Sequence, residues 1–187
     1  MLDGGVLPIQ HPKKVSKEQN SSGMAKDEGM AVKAVESVIA GHPFLRDLRP
    51  AHLRLLADSA MRVRFEKDEL IFREGDPANR FYLIEQGRVS LESHRRDEAP
   101  VAVQIIGPGE VLGWSWLFPP FAWHLRARAL EPTRAVVLDG AHLLIAAERN
   151  RDFGYELMKR VAQVLIQRLQ ATRKQLLRQQ FESIMEG

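Results

Sequence analysis

Seven side chains between Gly113 and Arg128 have types and spacings that could do chemistry: Trp114, Ser115, Trp116, Trp123, His124, Arg126 and Arg128. An indole offers a large stacking face and a single donor. A guanidinium offers a planar fork that fits phosphate or carboxylate. The chemistry available here is binding, with aromatic or apolar stacking beside an anion contact. Arg126 and Arg128 are two apart, so on a strand they share one face. That face is either a phosphate site or a solvated surface. The tryptophans either fill a core or line a pocket.

Catalytic alternatives find little support in the sequence. Histidine stands at 11, 42, 52, 94, 124 and 142, and no two form the His-x-His pair of a cupin metal site. Gly113-Trp114-Ser115-Trp116-Leu117 starts like a nucleophile elbow but lacks the closing glycine. Neither a P-loop nor a dinucleotide fingerprint is present. There is no cysteine, which excludes disulfides, Fe–S clusters and Cys-ligated zinc and fits a reducing cytoplasm. The chain is therefore read as non-catalytic, with no metal site and no required cofactor. A small-molecule ligand is left open.

The elements that must position these residues follow from periodicity. In 187 residues there is room for one well-buried core with flanking helices. Residues 1–29 show no periodicity and read as a flexible arm, with Met24 and Met30 as alternative starts. Residues 30–60 read as two helices, Met30 to Ala40 and one with Pro50 in its first turn. From Met61 the period becomes two. Strands are expected at Met61–Phe65, Leu70–Phe72, Phe81–Ile84, Val89–Glu92, Val101–Ile105, Val111–Leu117, Leu125–Ala129 and Thr133–Leu138, with Gly and Pro turns between. Residues 61–139 thus form a β-roll of jelly-roll or barrel type. Residues 140–187 are helical: a short Ala141–Glu148 segment, then one helix from Asp152 to about Phe181.

On that long helix Leu157, Val161, Val164, Leu165, Arg168, Leu169, Thr172 and Leu176 fall on one stripe. It is too long to be covered by a small roll alone. Its remainder, with Leu157, Val161, Val164, Leu165, Arg168, Leu169 and Leu176 as interface residues, is expected to pair with a second copy as a short coiled coil. Leu157 to Phe181 also carries six basic residues and no acid. A solvated helix face, an acidic protein partner and a nucleic-acid partner all fit. A net charge of +3 alone does not argue for nucleic acid. No apolar run is long enough to span a membrane, and no secretory leader is seen.

Gly75, Asp76, Tyr82, Ile84, Gly87 and Val89 carry a resemblance. Their spacing is similar to the glycine-rich core of the cyclic-nucleotide-binding domain, as in CRP/FNR-type regulators, protein kinase A regulatory subunits and nucleotide-gated channels. It extends from about Pro43 to about Phe181. What it implies is an α+β fold: a β-jelly roll flanked by N-terminal helices and a long C-terminal helix, in a homodimeric, cytoplasmic regulatory protein. CRP-type activators continue into a helix-turn-helix; this chain ends at Gly187, so direct sequence-specific DNA binding is not expected.

In the resembling family a cassette between two strands holds the cyclic phosphate. A Glu after a Gly takes the ribose hydroxyl and an Arg neutralises the phosphate. Here the Gly matches Gly113, the Glu position holds Trp114, and the Arg position falls on Trp123. Thr172 matches a base-contacting hydroxyl, and Arg173 replaces a small hydroxyl beside it. The expected ligand pocket is Gly113, Trp114, Ser115, Trp123, His124, Arg126, Arg128, Thr172 and Arg173. Arg168 is expected to stack on Trp114 or Trp123 as a cation–π pair. Three readings follow: a sensor module that does not bind cAMP or cGMP through the usual contacts, a cAMP or cGMP receptor with contacts shifted to Arg126, Arg128 or Arg173, and a structural homodimeric docking protein for an unknown protein partner.

Overall fold

The computed structural model describes residues 35–93 and 99–185. The arm, the start of the first helix and most of the charged hairpin tip at 94–98 lie outside the described residues. Helix α1 covers 35–41. A 3-10 turn at Pro43–Leu45 leads to α2 at Pro50–Ala57, which begins on its proline as expected. Eight strands follow: β1 Met61–Phe65, β2 Leu70–Phe72, β3 Arg80–Gln86, β4 Val89–Ser93, β5 Val101–Ile106, β6 Val111–Leu112, β7 Arg126–Ala129 and β8 Thr133–Asp139. Helices α3, Gly140–Arg149, and α4, Arg151–Met185, complete the chain.

The strands form two antiparallel four-stranded sheets, ordered β1-β8-β3-β6 and β2-β7-β4-β5. Every pairing is antiparallel, and the two sheets face each other as the expected jelly roll. Tyr82, Ile84, Val89, Leu91, Ile106, Leu112, Ala127, Ala135 and Val137 fill the space between them. Alternate residues of the first sheet, Phe81, Leu83, Val136 and Leu138, face the helices instead. There they meet Ile39, Leu45, Leu56, Leu143, Phe153, Leu157 and Val161. Strands β3 and β8 are buried on both faces. That is why Phe81–Ile84 is a continuous apolar run with no alternation.

One expected strand is corrected. Val111–Leu117 is strand only through Leu112; Trp114–Leu117 is a 3-10 turn. Gly113 adopts φ +84, which ends the strand. A short apolar run does not distinguish the two conformations by periodicity.

His42 ties α1 to the roll. Its Nδ1 accepts the Phe44 N–H at 3.3 Å, so that nitrogen must be unprotonated. Burial holds the imidazole below its ordinary value, against smaller opposing effects of the Ile84 backbone and Glu85. A folded pKa below the unfolded one means that the unfolded chain takes up the extra proton. The contribution is fully present above about pH 6.5 and is lost as pH falls through the folded pKa. We expect the urea midpoint to fall between pH 7 and pH 5, and His42→Asn to fall less. Equal acid sensitivity in both proteins would exclude this role.

Candidate functional site

The segment after β6 is held from both ends. Trp123 N–H donates to the Asp76 carbonyl at 2.9 Å, and Gly75 N–H donates to the Trp123 carbonyl at 2.9 Å. Ala78 N–H donates to the Phe121 carbonyl at 2.7 Å. The turn after β2 and residues 121–123 thus form a short irregular ladder, which fixes where the Trp123 ring goes. That ring is buried and stacked on Phe72, with centroids 4.1 Å apart and planes 16° from parallel. Its far edge lies over Gly113, where a Cβ would sit 3.0 Å from two indole carbons. Gly113 therefore serves twice, by its left-handed backbone and by leaving room for the ring.

The other two indoles differ. Trp116 is buried in the helix-side core against Phe81, and its Nε1 has no partner. Trp114 is half-buried, edge-on to Phe118 at 6.5 Å. Ser115 Oγ and His124 Nδ1 lie 3.3 Å apart and close the loop across its base. What remains open is a cavity of about 210 Å³. Gly113, Trp114, Ser115, Trp123 and His124 line it. Phe72, Leu165 and Arg168 join them. Phe72 comes from β2, and no local sequence signal ties it to Trp123. The cavity is smaller than the ~300–1,000 Å³ usual for ligand pockets.

Arg126 and Arg128 are not in this cavity. They share the opposite face of β7 and turn to Glu92 on β4. Arg126 Nε donates to Glu92 Oε2 at 2.6 Å; Arg128 Nε lies 3.7 Å from the same oxygen. Arg128 also donates to the Asp68 carbonyl at 2.7 Å. Glu92 is buried, so removing these cations would strand its charge. Both are engaged by Glu92 and lie outside the cavity, which corrects the expectation that they belong to the ligand pocket. Nothing local in the chain signals this contact, because Glu92 lies 34 residues from Arg126.

Over the cavity, α4 supplies Leu165 and Arg168. Thr172 and Arg173, expected to sit there, are exposed on the next turn. Thr172 borders a separate groove against β5, with Val103 and Ile105. The reason is the straight path of α4: one turn past Arg168 it has left the tryptophans. Arg168 does not stack on an indole either. It donates to the Val111 carbonyl, and among the described residues the cation–π geometry found is Lys159 over Tyr155.

The long stripe divides. Leu157 and Val161, expected at a subunit interface, instead close the chain's own core. Val164 and Leu165 are half-buried against it. Leu169 is 71% exposed and Leu176 56%, and these two remain unpartnered. No described helix is long and apolar enough to cross a membrane.

Residues 62–150 match the family model described as the cyclic nucleotide-binding domain. The chain is 25% identical over 143 residues to a CRP-like cAMP-activated global transcriptional regulator of Mycobacterium tuberculosis; the match covers 76% of this chain and 62% of that protein. It thus spans less than two thirds of this relative's length. A putative cyclic nucleotide-binding protein from Geobacter metallireducens has a crystal structure that superposes with a TM-score of 0.65 at 29% identity, covering 73% of this chain and 98% of that one. The regulatory subunit of a cAMP-independent protein kinase A from Trypanosoma brucei shares the fold, with a TM-score of 0.61 at 21% identity over 73% of this chain and 49% of that one.

Proposed function

We propose that the chain, whose residues 62–150 match the cyclic nucleotide-binding domain model, is a non-catalytic regulatory module that does not grip cAMP or cGMP in the usual way. One observation carries the reading. Trp123, at the position the resemblance assigns to the phosphate-binding arginine, is buried and stacked on Phe72. The place of a cation is taken by packed core. Trp114 likewise replaces the ribose-binding acid.

The energetic consequence can be bounded. A hydrogen bond to a charged group contributes about 1.5–3 kcal/mol, so losing two weakens binding by roughly 10²–10⁴-fold. The reading with contacts shifted to Arg126 and Arg128 is disfavoured by their engagement with Glu92. The cavity that is left suits a small apolar or aromatic group. Filling it would press on Trp114, Leu165 and Arg168 and so bias α4 between two positions. Leu165, Leu169, Thr172 and Leu176 keep a four-three-four spacing, which supports pairing of the exposed helix with a second copy.

Calorimetry with cAMP and cGMP is expected to show no saturable binding below about 1 mM. Micromolar binding of either would refute the reading. Native mass spectrometry of the same sample is expected to give a dimer mass. A monomer at micromolar concentration would remove the pairing of α4.

A further inference from the structure

A second and larger recess, about 430 Å³, opens beside the tryptophan cavity. It lies between α4, the Pro43–Phe44 turn and the Gly109–Val111 turn. Its helix wall carries Arg160, Gln163, Gln167 and Arg168. Steps of three and four place these on one side of the helix. The two arginines leave α4 about 12 Å apart, eight residues at 1.5 Å each.

Each guanidinium is anchored to the main chain through one nitrogen. Arg160 Nη1 donates to the Phe44 carbonyl at 2.7 Å, and Arg168 Nη2 donates to that of Val111. In both, Nε is buried without an acceptor. Neither forms an ion pair among the described residues. A guanidinium has five N–H donors, so each keeps unused ones at a half-buried position. Burial draws Arg168 below its ordinary value, against the attraction of Glu110. Glu110 is the one acid among the lining residues, and one of its oxygens accepts the Gly107 N–H at 2.7 Å.

We infer that this recess is a separate ligand site for a small organic molecule with an acidic group at each end, these groups held by Arg160 and Arg168 and its middle by the amides of Gln163 and Gln167. The two cations then gain the counter-charge that the fold leaves out. A compact monoanion reaches only one of them. The two recesses share Arg168 as a common wall.

The test is a titration of the full chain with adipate and, separately, fructose 1,6-bisphosphate. Acetate at matched ionic strength is the control. Calorimetry gives the affinity, and side-chain amide NMR signals of Gln163 and Gln167 give the place. We expect one probe to saturate below roughly 1 mM and acetate to bind at least tenfold more weakly. Saturation by adipate alone assigns carboxylates; saturation by the bisphosphate alone assigns phosphoryl groups. Arg160→Gln should weaken the better probe about tenfold or more. Because that change also removes the Phe44 contact, Gln167→Leu is the second variant, expected to weaken binding without touching either arginine. The inference fails if neither probe saturates by about 10 mM. It fails equally if acetate binds as well, if Gln167→Leu binds like the parent, or if the shifts appear at the Trp114 and Trp123 indoles instead.

Discussion

Trp123→Ala is expected to cost about 3–5 kcal/mol of folding stability, because a large buried aromatic is lost and its space only partly collapses. Several contacts would go together. The stack on Phe72 has no substitute, and the Gly113 surface beneath the ring would face a void. Collapse is hindered because residue 123 is tied by its main chain to Gly75 and Asp76. A folded domain holds only about 5–15 kcal/mol in total, so the variant should be marginal at 37 °C. Denaturant unfolding at 25 °C measures the loss. The same variant offers a check through chemical rescue. An apolar cavity accepts small aromatic guests, so millimolar indole should raise the melting temperature of Trp123→Ala by more than that of the parent. A loss under about 1 kcal/mol would mean that the ring is not core, and the case against a cyclic phosphate site would go with it.

The second large effect belongs to Gly87, in the turn between β3 and β4. Its φ is +90. A Cβ there would lie 2.7 Å from both the Pro132 carbonyl oxygen and the Thr133 Cα, and closer still to Thr133 Oγ1. Two of these neighbours are main chain at the start of β8, which sits inside a sheet and cannot step aside. Gly87→Ala combines backbone strain of about 1–3 kcal/mol with that collision, so we expect 4 kcal/mol or more, roughly the exceptional range for one substitution. Gly75→Ala is the matched control. Its φ is +84, but nothing lies within 4 Å of the added carbon. Only the conformational part remains, about 1–2 kcal/mol. Thermal unfolding of the two variants side by side separates the terms. Equal losses would show that the collision is relieved by a shift of the turn.

The roll could be read from the chain because its signals are local. Met61–Phe65 alternates, and Gly75, Gly87 and Gly113 all carry left-handed backbone in the structure. The limits of that reading are physical too. Val111–Leu117 looked like one strand because an apolar run has no period to betray the turn inside it. Arg126 and Arg128 looked like free cations because Glu92, which engages both, is distant in sequence and reaches them only once β4 pairs with β7. Leu157 and Leu169 have identical side chains on one helix, yet the first is buried and the second exposed. The difference lies in where the roll ends, which no property of the helix itself records. Alignment with the family cassette located Trp123, and the stack on Phe72 then gave its role, a partner brought in by the fold alone.

The length of α4 has a mechanical meaning. From Arg168, which is bonded to the Val111 carbonyl, to Met185 the helix runs some 25 Å at 1.5 Å per residue. On the two-position reading proposed above, it is a lever pivoting near the Val111 carbonyl, with its short arm over the indoles. A tilt of about 10° at that fulcrum sweeps the free end through about 4 Å, given that reach. A displacement too small to notice among Trp114, Leu165 and Arg168 would therefore arrive at Phe181 as the width of a side chain.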